Sequence, residues 1–192
     1  MFSSNYKLLL IAFLGLGFFA IFVFYIALQD FEISFRRRLV QDVYGVPVRM
    51  KIPVIRLDET VLDVGLTPFG VMGAPAGPKN VAWFNLQPRP GEGGSAIIVG
   101  HFGWKGGVQA AFDNLNKLHV GDRLYVEDSN GLVITFLVRE WRLYDKNENF
   151  SKVFNMSGDG AHLNLITCGG AWNADQKSYA DRLVIFADKE YK

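Results

Sequence analysis

Cysteine is almost missing from this chain. Of 192 residues only Cys168 carries a thiol, so neither a disulfide framework within the chain nor a Cys-rich zinc module can form. The one thiol is either a small buried hydrophobe or a reagent. Charge of one sign is missing too: 20 Lys and Arg stand against 19 Asp and Glu, which excludes a polycationic nucleic-acid binder. The three His, at 101, 119 and 162, are too dispersed for a local metal motif. No segment repeats at a fixed period and no tract is of low complexity. Disorder is excluded as well, because 49% of the residues are hydrophobic.

Apolar residues are unevenly spread. Half of the 16 Phe fall within the first 35 residues, and Leu8 to Leu28 runs for 21 residues without a charge. As a helix that run would be about 32 Å long, matching a hydrocarbon core of about 30 Å. It exceeds the usual apolar core of a signal peptide, and Tyr25-Ile26-Ala27 is a poor cleavage site, so it reads as an uncleaved transmembrane signal anchor. The expected organisation is a cytoplasmic terminus at 1–7, a single span at 8–28, a juxtamembrane stalk or linker at 29–46 and one domain at 47–192. Counting Lys7 against Arg36, Arg37 and Arg38 would put the domain inside. Large domains translocate largely regardless of such charges, so the domain's chemistry decides its side.

From Val46 onward, short β-branched and aromatic runs bounded by Gly, Pro, Asn and Asp predict an all-β domain. Strands are expected at 48–55, 61–66, 95–100, 122–127, 132–141, 163–168 and 183–187, and seven or eight of them suit a closed barrel. Asp128-Ser129-Asn130-Gly131 predicts a tight hairpin, with Asn-Gly supplying positive φ angles. Phe112, Leu115 and Leu118 recur every three residues and predict a short helix whose apolar stripe packs on the sheet. The Gly-rich loop at 91–94 lacks the following helix and Lys of a phosphate cradle, so it reads as structure.

Three side chains stand where strands meet loops. Cys168 ends Leu163-Asn164-Leu165-Ile166-Thr167-Cys168 and precedes Gly169-Gly170. An ordinary thiol is only about 3% thiolate at neutral pH, so a nucleophilic Cys needs a cation nearby. His101 follows the apolar strand Ile97-Ile98-Val99-Gly100, and Arg182 precedes Leu183-Val184-Ile185-Phe186. Taken singly, each has a plainer account: a buried Cys, a structural His, and a surface Arg paired with Asp181 or Asp188.

Together, Gly100-His101, Leu165-Ile166-Thr167-Cys168 and Arg182-Leu183-Val184 resemble the His, Leu-x-Thr-Cys and Arg-Leu-Val signatures of bacterial sortases, in that family's chain order. The Phe112 to Asp122 segment is similar too, and the resemblance covers roughly Pro47 to Asp188. Asn164 departs from it, standing where the family commonly has Thr, which leaves the subclass open. The resemblance implies a closed eight-stranded sortase-like β-barrel with short helices, membrane-anchored and extracytoplasmic. It implies a cysteine transpeptidase acting on a Leu-Pro-x-Thr-Gly-like sorting signal. Cys168 would attack the Thr carbonyl, His101 would carry the proton, and Arg182 would bind substrate or the oxyanion. The acceptor would be an amine on a peptidoglycan precursor or a pilin-like protein, with no cofactor, no required metal and no nucleic acid. Thr167, Trp104, Trp172 and Phe154 are expected to line or shield the site, and the loop from Leu143 to Ala161, with Phe150 and Met156, to wall it.

Two rivals stand beside this reading. An L,D-transpeptidase also pairs His with Cys but places Ser-His-Gly before the Cys, where this chain has Leu-Ile-Thr. A non-catalytic, membrane-anchored β-domain that binds wall peptides would ignore thiol reagents.

Overall fold

Apolar runs broken by Gly, Asn and Asp become eight strands in the computed structural model, which describes residues 17–33, 43–145, 148, 151–154, 160–175 and 178–191. The strands are β1 (Pro47–Ile52), β2 (Leu57–Val64), β3 (Val81–Phe84), β4 (Gly94–Gly100), β5 (Arg123–Asp128), β6 (Val133–Asp145), β7 (Ala161–Asn173) and β8 (Ser178–Lys189). Pairing runs β1-β2-β3-β4-β7-β8-β6-β5 and returns to β1, closing the barrel expected from the sequence and leaving no free edge. β2 with β3 and β4 with β7 are parallel, and the other pairs are antiparallel.

Strand alternation sorts the apolar side chains into two cores. One receives residues from all eight strands, among them Met50, Val61, Val81, Ile98, Val126, Phe136, Leu165 and Ile185, and fills the barrel. The intervening residues of β3, β4, β7 and β8 build a second cluster on the outer face, with Ala82, Phe84, Ile97, Val99, Ile166, Val184 and Phe186. The short helix Ser151–Phe154 covers this outer cluster with Val153 and Phe154.

Several local expectations change in detail. β3 was not anticipated, because Val81-Ala82-Trp83-Phe84 is only four residues long and buried on both faces, so it shows no alternation. The stretch from Phe112 to Leu118 is a set of turns with a single 3₁₀ turn at Leu115–Lys117. Its three apolar residues are buried as expected, and their strict spacing of three is the 3₁₀ period. The hairpin between β5 and β6 forms, but Gly131 alone takes a positive φ, 80°. The buried Asp128 carboxylate supplies the rest of that turn, accepting from the Asn130 and Leu132 N–H groups at 2.9 Å each.

Residues 17–33 are helical and exposed throughout, and among the described residues no helix is long and apolar enough to cross a membrane. The terminus at 1–7, the apolar run over 8–16, the stalk over 34–42, and Phe150 and Met156 lie outside the described residues. The chain divides into two compact units, Met1–Val43 and Tyr44–Lys192.

Candidate active site

Parity along the strands puts Cys168 and Arg182 on one face, beside the strand that leads to His101. On β7, Leu163 and Leu165 point into the barrel, so Ile166 and Cys168 point out. On β8, Leu183 and Ile185 point in, so Val184 and Arg182 point out. Cys168 and Arg182 are direct partners in the antiparallel register, which brings their Cβ atoms to about 5 Å. β4 runs parallel to β7 with Val99 opposite Ile166, and His101 follows directly where β4 ends at Gly100. Gly100 faces inward against the Phe112 ring, where a Cβ would come within 2.6 Å, and His101 leaves the sheet immediately after it. Sulfur, imidazole and guanidinium therefore belong to the same end of the β4, β7 and β8 strands, beside the outer cluster.

The local chain differs from expectation around the Cys. The strand does not end there: β7 continues to Asn173 through a bulge between Gly169 and Trp172, where Gly170 has φ 72°. A glycine in the left-handed region lets the ladder slip and resume, with Trp172 opposite Tyr179. Likewise β8 starts at Ser178, so Arg182 lies within the strand.

Each expected neighbour has a definite place. Thr167 is buried, and its Oγ1 donates to the Gly100 carbonyl at 2.8 Å, tying β7 to the end of β4 just before His101. Trp104 sets its ring against that of His101, with centroids 4.8 Å apart and planes at 60°. His101 Nε2 donates to the buried Pro75 carbonyl at 3.0 Å. Trp172 is exposed, with its ring 5.0 Å from that of Tyr179, which in turn lies 5.3 Å from Phe102. Phe154 meets Phe84 edge-on at 6.4 Å. Arg182 Nη1 donates to the carbonyls of Asp181 (2.8 Å) and Tyr179 (3.3 Å). Asp188, a partner that the plainer account of Arg182 invoked, instead binds Arg139 and His162.

Sequence reading missed three supports of the site. Asp113 hooks the loop after His101, accepting from the Gly103 N–H at 2.7 Å and the Ala110 N–H at 2.9 Å. An Asp set thirteen residues beyond a strand end, after a Gly-rich loop, is a turn-making signal that could have marked it. Asn164, fully buried, donates from Nδ2 to the Val153 carbonyl at 2.6 Å and so fastens the covering helix to the outer cluster, while its Oδ1 has no partner among the described residues. The Pro75 carbonyl carries no sequence signal at all.

On the barrel-mouth side of the Cys lies a pocket of about 170 Å³ between Cys168–Gly170, Phe102, Asn116 and the exposed Trp141 and Leu143. The site thus has a buried apolar cluster on one side of the Cys and a small pocket on the other. A thiol, a proton carrier and a fixed cation at such a junction can perform acyl transfer.

Comparison with known proteins agrees with this geometry. The family described as Sortase domain matches residues 50–190. No curated protein matches the chain. Among solved structures, sortase C-1 from Actinomyces oris is similar at 21% identity, covering 76% of each chain with a TM-score of 0.58. A lid mutant of sortase A from Corynebacterium diphtheriae is similar at 18% identity, over 78% of this chain and 72% of that one, with a TM-score of 0.59. A Sortase D5 transpeptidase from Clostridium perfringens is similar at 20% identity, over 77% of this chain and 79% of that one, with a TM-score of 0.56. These structural likenesses show a shared fold.

Proposed function

Because the chain belongs to the sortase family of cysteine transpeptidases, we propose that Cys168, His101 and Arg182 carry out its reaction on a Leu-Pro-x-Thr-Gly-like sorting signal. The observation that supports this reading is the β7–β8 register, which sets Cys168 directly opposite Arg182, with His101 following the end of the neighbouring β4. The donor peptide lies extended beside Cys168, so that its Thr carbonyl reaches the sulfur. The sulfur attacks that carbonyl, and Arg182 holds the oxygen as it becomes negative. His101 passes a proton to the departing Gly amine, leaving a thioester on Cys168. An incoming amine, on a peptidoglycan precursor or another surface protein, enters from the pocket beside Gly169 and Gly170 and releases the enzyme.

The apolar run at 8–28 supports a membrane anchor that holds the domain on the extracytoplasmic side, where sorting signals and wall amines meet. Protease added to intact spheroplasts then digests the domain beyond Gly45, and protection would place it in the cytoplasm.

The decisive experiment is a peptide-library cleavage assay read by mass spectrometry. The wild type cleaves at Thr-Gly and forms a thioester adduct, Cys168→Ala does neither, and Arg182→Lys loses about a hundredfold or more in kcat. Full activity in Cys168→Ala would overturn the reading.

A further inference from the structure

We infer that the carbonyl of Pro75 locks His101 in one ring tautomer, with hydrogen on Nε2, so that Nδ1 is the atom through which His101 exchanges protons. The inference builds on the role proposed for His101 above and adds what no motif supplies: which nitrogen acts, and what aims it.

The argument is one of donors and acceptors. His101 Nε2 lies 3.0 Å from the Pro75 oxygen, and a carbonyl oxygen can only accept. Nε2 must therefore carry the hydrogen in the neutral ring as well as in the protonated one. A neutral imidazole has a single N–H, which leaves the lone pair on Nδ1. The bond survives both protonation states, so the ring need not turn over during the reaction.

The carbonyl is well held. Pro75 is buried and its own φ is restricted by the ring. The two loops are laced together, since the Ala111 N–H donates to Pro78 O at 2.8 Å and the Phe112 N–H to His101 O at 3.0 Å. Trp104, edge-on at 4.8 Å, packs against the imidazole from a third direction. Pro75 is thus a positioning residue that acts on the reaction through His101.

The proton path then balances at one atom. As Sγ bonds to the Thr carbonyl carbon, the thiol proton passes to Nδ1. As the carbon–nitrogen bond of the scissile amide breaks, Nδ1 returns that proton to the leaving amine. In the second half, Nδ1 takes a proton from the incoming amine as it bonds to the thioester carbon, and delivers it to the departing sulfur. The hydrogen on Nε2 stays on Pro75 O throughout.

The protein contains its own control. His162 Nδ1 lies 2.7 Å from Asp188 Oδ1, and a carboxylate likewise accepts, so His162 holds its hydrogen on Nδ1, the opposite of His101. His119 is exposed and samples both forms. The test is a two-bond proton–nitrogen correlation spectrum of the full chain labelled with ¹⁵N-histidine, recorded with the rings neutral and assigned with His162→Gln and His119→Gln. His101 should show a protonated Nε2 and a lone-pair Nδ1, His162 the reverse pattern, and His119 an average. An averaged or Nδ1-protonated pattern at His101 would overturn the inference. Pro75→Gly, which frees the carbonyl to wander, should move the His101 signals toward the average and lower kcat about two- to tenfold at unchanged KM. A variant whose His101 signals move to the average while the rate is unchanged would equally overturn it. His101→Gln, assayed in parallel, tests the catalytic reading separately: full activity there would remove the role of His101 while leaving the tautomer result standing.

Discussion

Replacing Thr167 with Val keeps the side chain's shape and deletes its one donor. Thr167 Oγ1 holds the Gly100 carbonyl at 2.8 Å, and that carbonyl belongs to the residue just before His101. The bond contributes about 1 kcal/mol net, and leaving a half-buried acceptor short of a partner brings the expected loss to about 1–2 kcal/mol. For a unit of this size that is a drop of about 2–8 °C in Tm. Thr167→Ser makes the opposite change, keeping the hydroxyl and losing one buried methyl at a cost of about 1 kcal/mol. The two variants therefore lose comparable stability but part company in activity. Without the tie, the end of β4 is free to drift from β7, and His101 drifts with it, so Val should lower kcat in the peptide-transfer assay severalfold while Ser stays near the wild type. Denaturant melts and steady-state transfer rates measured on the same preparations decide the matter. If Val keeps the full rate and Ser loses it, Thr167 acts by packing alone and the tie is irrelevant to the site.

Gly100→Ala should lose about 1–3 kcal/mol in denaturant melts and much of the transferase rate, because the new methyl would stand 2.6 Å from the buried Phe112 ring. Asn164→Asp removes the donor to Val153 and buries a carboxyl, which raises that carboxyl's pKa. A raised folded-state pKa means stability is lost as pH climbs, so this variant should approach the wild type near pH 3 and fall progressively behind from about pH 4 upward in pH-dependent melts. Asp58 shows the opposite sign: its hydrogen bond to Arg49 holds the exposed carboxyl below the usual carboxylate range. Its small contribution is present above about pH 4 and lost in acid, so Asp58→Asn should trail the wild type slightly at neutral pH and match it in acid.

Much of this protein is legible in one dimension, for reasons particular to each element. The hairpin after β5 was readable because a Gly at the end of a four-residue turn solves a local steric problem that no distant contact can change. The core role of Phe112, Leu115 and Leu118 was readable from their spacing alone. β3 was not, since a strand buried on both faces has no period to detect. The continuation of β7 past Cys168 was hidden as well, because Gly169-Gly170 looks like an end and becomes a bulge only when β8 offers Tyr179 as a partner for Trp172.

The site divides in the same way. Cys168, His101 and Arg182 were nameable from short motifs, since chemistry demands particular atoms and these residues are the ones that carry them. The shared face of Cys168 and Arg182 was not, because alternation within a strand says only that neighbours point opposite ways. Which way is outward follows from closure of the barrel, and which strands lie side by side follows from the crossover that places β4 against β7. The Pro75 carbonyl and the Asn164 tether belong wholly to the fold, for a backbone oxygen and a buried amide acquire a role only from what the finished packing sets within three ångströms of them. Atoms able to react are a property of the chain, whereas the direction in which they point is a property of the closed sheet.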